Sequence, residues 1–289
     1  MFTGTYTALV TPFNRDGSVD DGKLRALVEW QIAEGVDGVV PVGTTGESPT
    51  LEYDEHHRVI GEVAQAAAGR IKVIAGTGAN STAEALMLTR EALAQGVDAT
   101  LQVCPYYNKP SQEGLYRHFS TVADLGLPVV LYNIPGRSGR EIAVETVARL
   151  AGHGKIVAIK EAGGSVERVS AILDACGLTV LSGDDMLTLP MMSVGAQGVV
   201  SVASNLVPGL VGDLVRAATR GDLAAAGCLH ARLYHLFRDL FIDTNPVPVK
   251  CAMAMTGRIE EIYRLPLCET SDKVRQQLQQ TLRELQLID

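Results

Sequence analysis

The chain has 289 residues, of which 46% are hydrophobic and 20% are charged. This length is too great for one small domain and is ordinary for a single large α/β barrel, and the composition argues against a disordered chain. The formal net charge is −8, and the 25 basic residues are scattered among 33 acidic ones, so a nucleic-acid partner is not expected.

The five cysteines are dispersed and never form a C-x-x-C pair. An odd number without such spacing argues against a disulfide framework and against a zinc site, and it fits a reducing cytoplasm. The N-terminus has neither the basic segment nor the apolar core of a signal peptide, and no apolar stretch approaches the roughly 18 residues of a membrane span. We therefore expect a soluble cytoplasmic protein that binds no metal and no membrane.

Short apolar runs rich in Val, Ile and Leu alternate with longer segments of helical periodicity, as is typical of parallel strands that are each covered by a helix. Eight such runs are present: Thr5–Val10, Gly38–Val42, Lys72–Ala75, Ala99–Cys104, Val129–Tyr132, Ile156–Lys160, Thr179–Ser182 and Gly198–Val202. Eight β/α units predict a (β/α)8 TIM barrel of the α/β class. In such a barrel the active site is formed by the C-terminal ends of the strands and the loops that follow them.

Helices are predicted between the strands, for example over Asp20–Glu34 and Ser81–Gln95, each followed by a glycine that can end it. In the last part of the chain the strand pattern stops. Three further helices are predicted there, over Leu223–Phe241, Pro248–Thr256 and Ser271–Leu287. We therefore expect a catalytic barrel over residues 1–222 and a helical C-terminal region over 223–289, with no catalytic constellation in the latter.

The second predicted strand runs into a turn of small residues, Gly43-Thr44-Thr45-Gly46-Glu47-Ser48, ahead of a helix. Converging backbone N–H groups and the two threonine hydroxyls could hold a carboxylate or a phosphate. The turn lacks the lysine of a Walker motif. An ordinary strand-to-helix connection is the alternative.

The loop after the fourth strand contains Tyr106 and Tyr107 side by side, between prolines that stiffen it. Neighbouring side chains in an extended loop tend to point to opposite sides, so one tyrosine could face a site while the other packs. A purely structural aromatic pair is the alternative.

Ionisable residues end the fifth and sixth strands. Tyr132 could relay protons, and Arg137 in the following loop could bind a carboxylate bidentately, although a buried structural tyrosine and a surface arginine remain alternatives. Lys160 ends the sixth strand, where partial desolvation favours a neutral amine that can condense with a ketone as a Schiff base. The alternative is a strand-end lysine paired with a carboxylate.

Two other motifs are set aside. The segment Gly76 to Ser81 opens like a dinucleotide-binding fingerprint, but it lacks the third glycine and belongs to a barrel unit. His56 and His57 are neighbours on a predicted helix, where adjacent side chains diverge by about 100° and cannot share one metal ion. We expect a solvated helix face there.

Four motifs occur in the order GTTGES, CPYYNKP, LYNIPGRSG and VAIKEA, and are followed by SGDD, GVVSV and TNPVPVK. Together they resemble the dihydrodipicolinate synthase family, in the superfamily of N-acetylneuraminate lyases and class I aldolases, over essentially the whole chain. The resemblance implies a (β/α)8 barrel with a helical C-terminal region, usually assembled as a homotetramer (a dimer of dimers). It also implies condensation of pyruvate with L-aspartate 4-semialdehyde in lysine and diaminopimelate biosynthesis, without a cofactor.

The resemblance further implies roles for the matching residues. Lys160 would form the pyruvate Schiff base. A proton relay would consist of Tyr132, Thr44 and Tyr107, the last reaching into the neighbouring subunit's site across a dimer interface. The substrate-binding positions would be Thr44, Thr45, Arg137, Gly183 and the backbone near Val200, with Arg137 on the carboxylate of the semialdehyde.

Many bacterial members of this family are inhibited by L-lysine bound at the dimer interface. The matching positions are Ser48, His56, Asn80, Glu84 and Tyr106. Glu84 would pair with the ammonium group of the ligand. Alternatively, Ser81 and Glu84 have the S-x-x-E spacing of a capping box and serve only their own helix.

Two other functions would use some of the same residues. A Schiff-base aldolase that cleaves a 2-keto-3-deoxy sugar acid would share the lysine and the tyrosine but generally not an arginine at position 137. Ser138 stands where threonine is more usual in the family, so the resemblance specifies the identity of the second substrate less closely than that of pyruvate. A non-catalytic barrel that binds lysine or a keto acid would not need an amine beside a proton relay.

Overall fold

The strands pair in chain order and close on themselves. In the computed structural model, which describes residues 2–289, neighbouring strands are parallel and β8 pairs with β1. The strands are β1 Gly4–Ala8, β2 Gly38–Val40, β3 Lys72–Gly76, β4 Ala99–Val103, β5 Val129–Asn133, β6 Ile156–Glu161, β7 Thr179–Ser182 and β8 Gly198–Ser201. The predicted (β/α)8 barrel is therefore confirmed, with strand ends within about two residues of the predicted runs.

Helices surround the barrel and form the C-terminal part of the chain. They are α1 Asp21–Ala33, α2 Tyr53–Ala67, α3 Thr82–Ala94, α4 Gln112–Ala123, α5 Pro135–Ser138, α6 Val144–Ala151, α7 Val166–Ala175, α8 Thr188–Ser193, α9 Pro208–Thr219, α10 Leu223–Asp239, α11 Val247–Met255 and α12 Asp272–Glu284. Asp20 and Ser81, the predicted first residues of two helices, are their N-caps, since their side chains accept hydrogen bonds from backbone N–H groups three residues on.

Side chains of the strands alternate between the inside of the barrel and the helix layer. In β6, Ala158 faces the interior and Ile159 belongs to an outer apolar cluster, so Lys160 faces inward again. The interior is filled by Phe2, Tyr6, Ala8, Val40, Ile74, Ala99, Leu101, Val130, Tyr132, Ala158, Leu181 and Val200. The barrel is thus a packed core, and its open end is left for chemistry.

The C-terminal helices pack onto the barrel. Leu233 of α10 and Leu278 of α12 belong to the same buried cluster as Leu24 of α1. The division at residues 222 and 223 stays a prediction, although α10 does begin at Leu223. Across residues 2–289 there is no helix with the length and apolarity that a membrane crossing requires, and no group of three candidate metal ligands.

Candidate active site

Lys160 and Tyr132 lie side by side at the C-terminal end of the barrel. The pairing of β5 with β6 places Tyr132 opposite Lys160, and the ammonium nitrogen is 4.2 Å from the centre of the tyrosine ring. Lys160 is 6% exposed, and the carboxylate next to it in sequence, Glu161, pairs with Arg168 instead. Lys160 therefore does not pair with this neighbouring carboxylate, as the alternative would require. Its amine faces an aromatic ring instead.

A buried polar network behind the two strands holds this pair in register. Glu161 is fully buried, and its carboxylate accepts hydrogen bonds from Asn133 Nδ2 at 2.8 Å and from Arg168 Nε at 2.8 Å. Asn133 Oδ1 in turn accepts from the backbone N–H of Ile142 at 3.0 Å. Since Asn133 and Glu161 directly follow the tyrosine and the lysine, the network fixes the strands that present both side chains inward.

Gly183 leaves room for the lysine side chain. It directly follows β7, and its N–H donates to the carbonyl of Glu161 at 2.8 Å. A Cβ on Gly183 would lie 3.0 Å from Lys160 Cε and 2.7 Å from Ala162 Cβ. Both approaches are closer than ordinary van der Waals contact, so any side chain at this position displaces Lys160.

We therefore predict that Gly183→Ala lowers kcat about tenfold, because a shift of the amine away from its working position costs transition-state stabilisation. Steady-state kinetics with a thermal melt checks this. Gly177→Ala is the matched control, since a Cβ there meets nothing within 4 Å. An unchanged kcat in Gly183→Ala would show that Lys160 has no need of this space.

The GTTGES turn presents its threonines differently from each other. The backbone N–H groups of Gly46 and Glu47 are used within the turn, on the carbonyls of Gly43 and Thr44 at 3.0 and 3.1 Å. These donors are not free for an anion, which corrects the expectation that successive N–H groups converge on a ligand. Thr44 lines the cavity at the mouth of the barrel, whereas Thr45 is buried.

Asn245 joins two of the predicted site residues and was missed by the sequence analysis. Its Nδ2 donates to Thr45 Oγ1 at 2.9 Å, and its backbone carbonyl accepts from the Arg137 guanidinium at 2.9 Å. The C-terminal region, for which no catalytic constellation is predicted, thus contacts the site through Asn245. The segment TNPVPVK was the only available signal, because contacts 200 residues apart in sequence leave no periodic pattern.

One cavity of about 450 Å³ is lined both by residues of the predicted catalytic site and by residues of the predicted lysine site. Its inner part is lined by Thr44, Tyr132 and Arg137. Its outer part is lined by Ser48, His56, Glu84 and Tyr106, which are the positions matching a lysine site. Asn80, the fifth matching position, does not line this cavity, and its backbone carbonyl accepts from Asn108 Nδ2 at 2.8 Å.

The outer part of the cavity contains a neutral imidazole and a carboxylate. His56 is 5% exposed and contacts the carbonyl of Gly76 at 3.0 Å, and burial lowers its pKa to about 4. The expected solvated helix face is thus wrong for His56. Glu84 accepts from the Tyr53 hydroxyl at 3.3 Å, so its carboxylate faces the cavity rather than completing a capping box with Ser81.

The two adjacent tyrosines point to different surroundings. Tyr106 lines the cavity, and burial, with the Glu84 carboxylate as a second cause, raises the pKa of its phenol. Tyr107 is 90% exposed, and its backbone φ of +73° lies in the left-handed region, which is uncommon for a non-glycine residue. One tyrosine lines the cavity as expected, but the other is exposed to solvent instead of packing.

The turn after β8 is held by a buried acid. Asp185 Oδ2 accepts from the backbone N–H groups of Val202 and Ala203, both at 2.9 Å. Burial raises the pKa of Asp185 to about 6, against these hydrogen bonds, which lower it. Val200 is buried in β8 just before this turn, so the backbone there is fixed at the end of the barrel.

Comparisons with known proteins cover nearly the whole chain. The sequence model of the Dihydrodipicolinate synthetase family matches residues 1–285. A curated protein of Pelobacter propionicus named 4-hydroxy-tetrahydrodipicolinate synthase is 53% identical over 100% of both chains. The solved structure of 4-hydroxy-tetrahydrodipicolinate synthase from Methylacidiphilum fumariolicum SolV has a TM-score of 0.98 and 54% identity, covering 99% of this chain and 96% of that one.

Two further solved structures contain small molecules. The chloride-inhibited dihydrodipicolinate synthase from Acinetobacter baumannii, complexed with pyruvate, has a TM-score of 0.98 and 43% identity, covering 100% of both chains. An enzyme of the same kind from Cyanidioschyzon merolae, with lysine bound, has a TM-score of 0.97 and 41% identity, covering 99% of both chains. This chain is similar to both along its whole length.

Proposed function

The chain belongs to the dihydrodipicolinate synthetase family, and from this premise we propose that it condenses pyruvate with L-aspartate 4-semialdehyde through a Schiff base on Lys160. The reaction is that of a 4-hydroxy-tetrahydrodipicolinate synthase, a Schiff-base-forming lyase of lysine and diaminopimelate biosynthesis. The observation that carries the assignment of Lys160 is a buried amine that pairs with no carboxylate among residues 2–289 and lies 4.2 Å from the centre of the Tyr132 ring.

The chemistry needs only the residues of this chain and the substrates. The amine of Lys160 adds to the keto carbon of pyruvate and water leaves, giving an iminium ion that acts as an electron sink. The methyl group of pyruvate then loses a proton, and the resulting enamine attacks the aldehyde carbon of the second substrate. The amino group of that substrate displaces Lys160 from the former keto carbon, which closes the ring and frees the enzyme.

Each polar residue of the inner cavity has a task in these steps. Tyr132, next to the amine, transfers protons to and from the nitrogen and the leaving water. Thr44 extends the relay. It also binds the carboxylate of pyruvate, together with Thr45, Gly183 and the backbone near Val200. Arg137 binds the carboxylate of the semialdehyde, because this residue lines the same cavity and a guanidinium can donate two parallel hydrogen bonds to a carboxylate.

Turnover of pyruvate with L-aspartate 4-semialdehyde, followed through a coupled dihydrodipicolinate reductase, tests this function. The second candidate, cleavage of a 2-keto-3-deoxy sugar acid, is assayed in parallel by pyruvate release. Turnover of the first pair with no sugar-acid cleavage is expected. Sugar-acid cleavage alone would replace the synthase assignment, and absence of both activities in folded protein would leave a binding barrel.

The outer cavity is proposed to bind L-lysine as an inhibitor, as suggested by the structure of the relative with lysine bound. Glu84 supplies a carboxylate for an ammonium group, with neutral His56 and the phenol of Tyr106 beside it. Ser48 also lines this part of the cavity, and Asn80 lies next to the lining residue Ala79 in sequence. Tyr53, which already donates to Glu84, shares this carboxylate with the ligand.

We predict that millimolar L-lysine inhibits the wild-type activity, and that Glu84→Gln weakens the inhibition about tenfold, since a charge-assisted hydrogen bond is lost. An activity titration with L-lysine measures both. Glu91→Gln is the control, an exposed glutamate on the same helix α3. No response of the wild-type enzyme at millimolar lysine would remove the regulatory proposal and leave the catalytic one intact.

We also propose that the protein works as a homotetramer, a dimer of dimers, in the cytoplasm. The proposed role of Tyr107 in the site of a second chain is supported by its exposure, since the side chain is almost fully exposed in its own chain. The cytoplasm is supported by the five free cysteines, two of which are buried. Sedimentation of the purified protein tests the assembly.

A further inference from the structure

A fully buried ion pair connects the GTTGES turn to the C-terminal helix α11. Lys250 and Glu47 are both without exposed side-chain surface, and Lys250 Nζ lies 2.5 Å from Glu47 Oε1. The same ammonium group donates to the carbonyl of Thr11 at 3.1 Å and lies 4.2 Å from the centre of the Phe13 ring. Removing two charges from water is expensive, and an apolar pair of similar volume often serves stability equally well, so this pair calls for a reason other than stability.

The turn that this pair holds is the one that carries Thr44. The N–H of Glu47 donates to the carbonyl of Thr44 at 3.1 Å, so the position of Glu47 fixes the backbone of the threonine. Glu47 has a backbone φ of +56°, in the left-handed region that a residue with a Cβ rarely adopts. Such a conformation persists only where the surroundings enforce it, and here the enforcing contact is the buried ammonium group.

The segment from Asn245 to Lys250 contacts the turn at both ends. Asn245 Nδ2 donates to Thr45, and five residues later Lys250 holds Glu47, with the backbone N–H of Lys250 bonded to the carbonyl of Pro246. Thr44 and Thr45 are thus held between two fixed points on one short segment. Each of these two contacts joins residues that are about 200 positions apart in the sequence.

The neighbouring arginine does not replace this cation. The guanidinium of Arg264 pairs with Glu55 at 2.6 Å, and only its backbone N–H reaches Glu47, at 3.3 Å from Oε2. Within residues 2–289, Lys250 is therefore the only residue whose cationic side chain forms an ion pair with Glu47. With no exposed surface, it has no route to the substrate.

We propose that Lys250 is a positioning residue for pyruvate binding. By holding Glu47 in its left-handed conformation, it keeps the hydroxyls of Thr44 and Thr45 oriented toward the carboxylate of the keto acid. The inference rests on the proposed function, because it requires pyruvate to bind in the inner cavity. It means that pyruvate binding depends on a residue of the C-terminal region as well as on residues of the barrel.

The test compares Lys250→Met with the double variant Glu47→Gln/Lys250→Met. The readout is the pyruvate concentration that gives half-maximal trapping of the Schiff base on Lys160 by borohydride, followed by mass spectrometry, which needs no semialdehyde. Lys155→Met, an exposed lysine far from the turn in sequence, is the control. Wild-type protein is assayed first, because absence of any adduct there would refute the proposed function and not the role of Lys250.

We expect both variants to need at least about tenfold more pyruvate for half-maximal trapping, a change that corresponds to the loss of a single positioning contact. The double variant is expected to regain thermal stability relative to Lys250→Met, since it leaves no unpaired buried carboxylate. Its pyruvate requirement is expected to stay high. If the double variant recovered both its stability and the wild-type pyruvate dependence, the ion pair would be purely structural and the proposal would be overturned. The double variant also keeps the test available if Lys250→Met does not fold.

Discussion

Lys160→Ala is expected to lower turnover by a factor on the order of 10⁴ or more, because the variant has no amine to form the iminium through which both carbon–carbon bond formation and proton loss proceed. The lysine is 6% exposed and lies against Tyr132 in the packed barrel interior. Its removal therefore leaves a small cavity but little strain, so the variant is expected to fold. Coupled turnover and borohydride trapping measure the loss, with the adduct located by peptide mass mapping.

Lys160→Arg and Lys155→Ala make the interpretation of this loss specific. Arginine keeps the positive charge beside Tyr132 but does not form a Schiff base with a ketone at neutral pH, since its guanidinium stays protonated. It is expected to be as inactive as alanine. The exposed Lys155 is expected to be dispensable. Substantial activity in either Lys160 variant would mean that the amine is not the nucleophile and that the barrel acts by another route.

The position of this lysine was predictable because a local pattern and a general rule coincide. An apolar run ending in a charged residue marks a strand end, and the alternation of side chains in a strand sets which residues share a face. Ala158 in the barrel interior and Ile159 in the outer cluster show the alternation that turns Lys160 inward. The same reasoning placed Tyr132 on the neighbouring strand, where the register brings it opposite the lysine.

What the sequence could not supply is the set of contacts made by tertiary folding alone. Asn245 reaches Thr45 and Lys250 reaches Glu47 from about 200 residues away, and no spacing within either segment predicts such a pair. His56 was misjudged for a related reason. The sequence predicts a solvated helix face there, whereas the packing of α2 against β3 buries the imidazole on the carbonyl of Gly76.

The exposure of Tyr107 is the feature with the largest consequence for assembly. In its own chain the side chain is 90% exposed and does not line the cavity that contains Tyr132 and Thr44. If its hydroxyl serves as a proton relay in a second chain, Tyr107→Phe lowers kcat by roughly 10²- to 10³-fold, as is usual for the loss of a general acid–base group. The fold of the variant chain is expected to be unchanged, since no packing contact is lost.

Mixing two inactive variants decides whether Tyr107 acts across an interface. In a dimer that pairs a Lys160→Ala chain with a Tyr107→Phe chain, the site with an intact lysine receives its tyrosine from the Lys160→Ala partner. One of its two sites is then complete. Random pairing of equal amounts gives complete sites amounting to roughly a quarter of the total, because half of the dimers of a two-fold assembly are mixed.

Co-expression of the two chains with different affinity tags, followed by purification through both tags, isolates the mixed assemblies. Turnover well above that of either parent is expected, with Lys160→Ala/Tyr107→Phe paired with itself as the inactive control. In a mixed dimer of the double variant with a wild-type chain, the site with an intact lysine lacks its incoming tyrosine and is inactive if Tyr107 acts only in trans. Because a dimer of dimers with both tags can also contain a wild-type dimer, the activity per wild-type chain is then expected to fall to about half. Full activity per wild-type chain, with none in the mixture of single variants, would show instead that each chain uses its own Tyr107 after the loop moves.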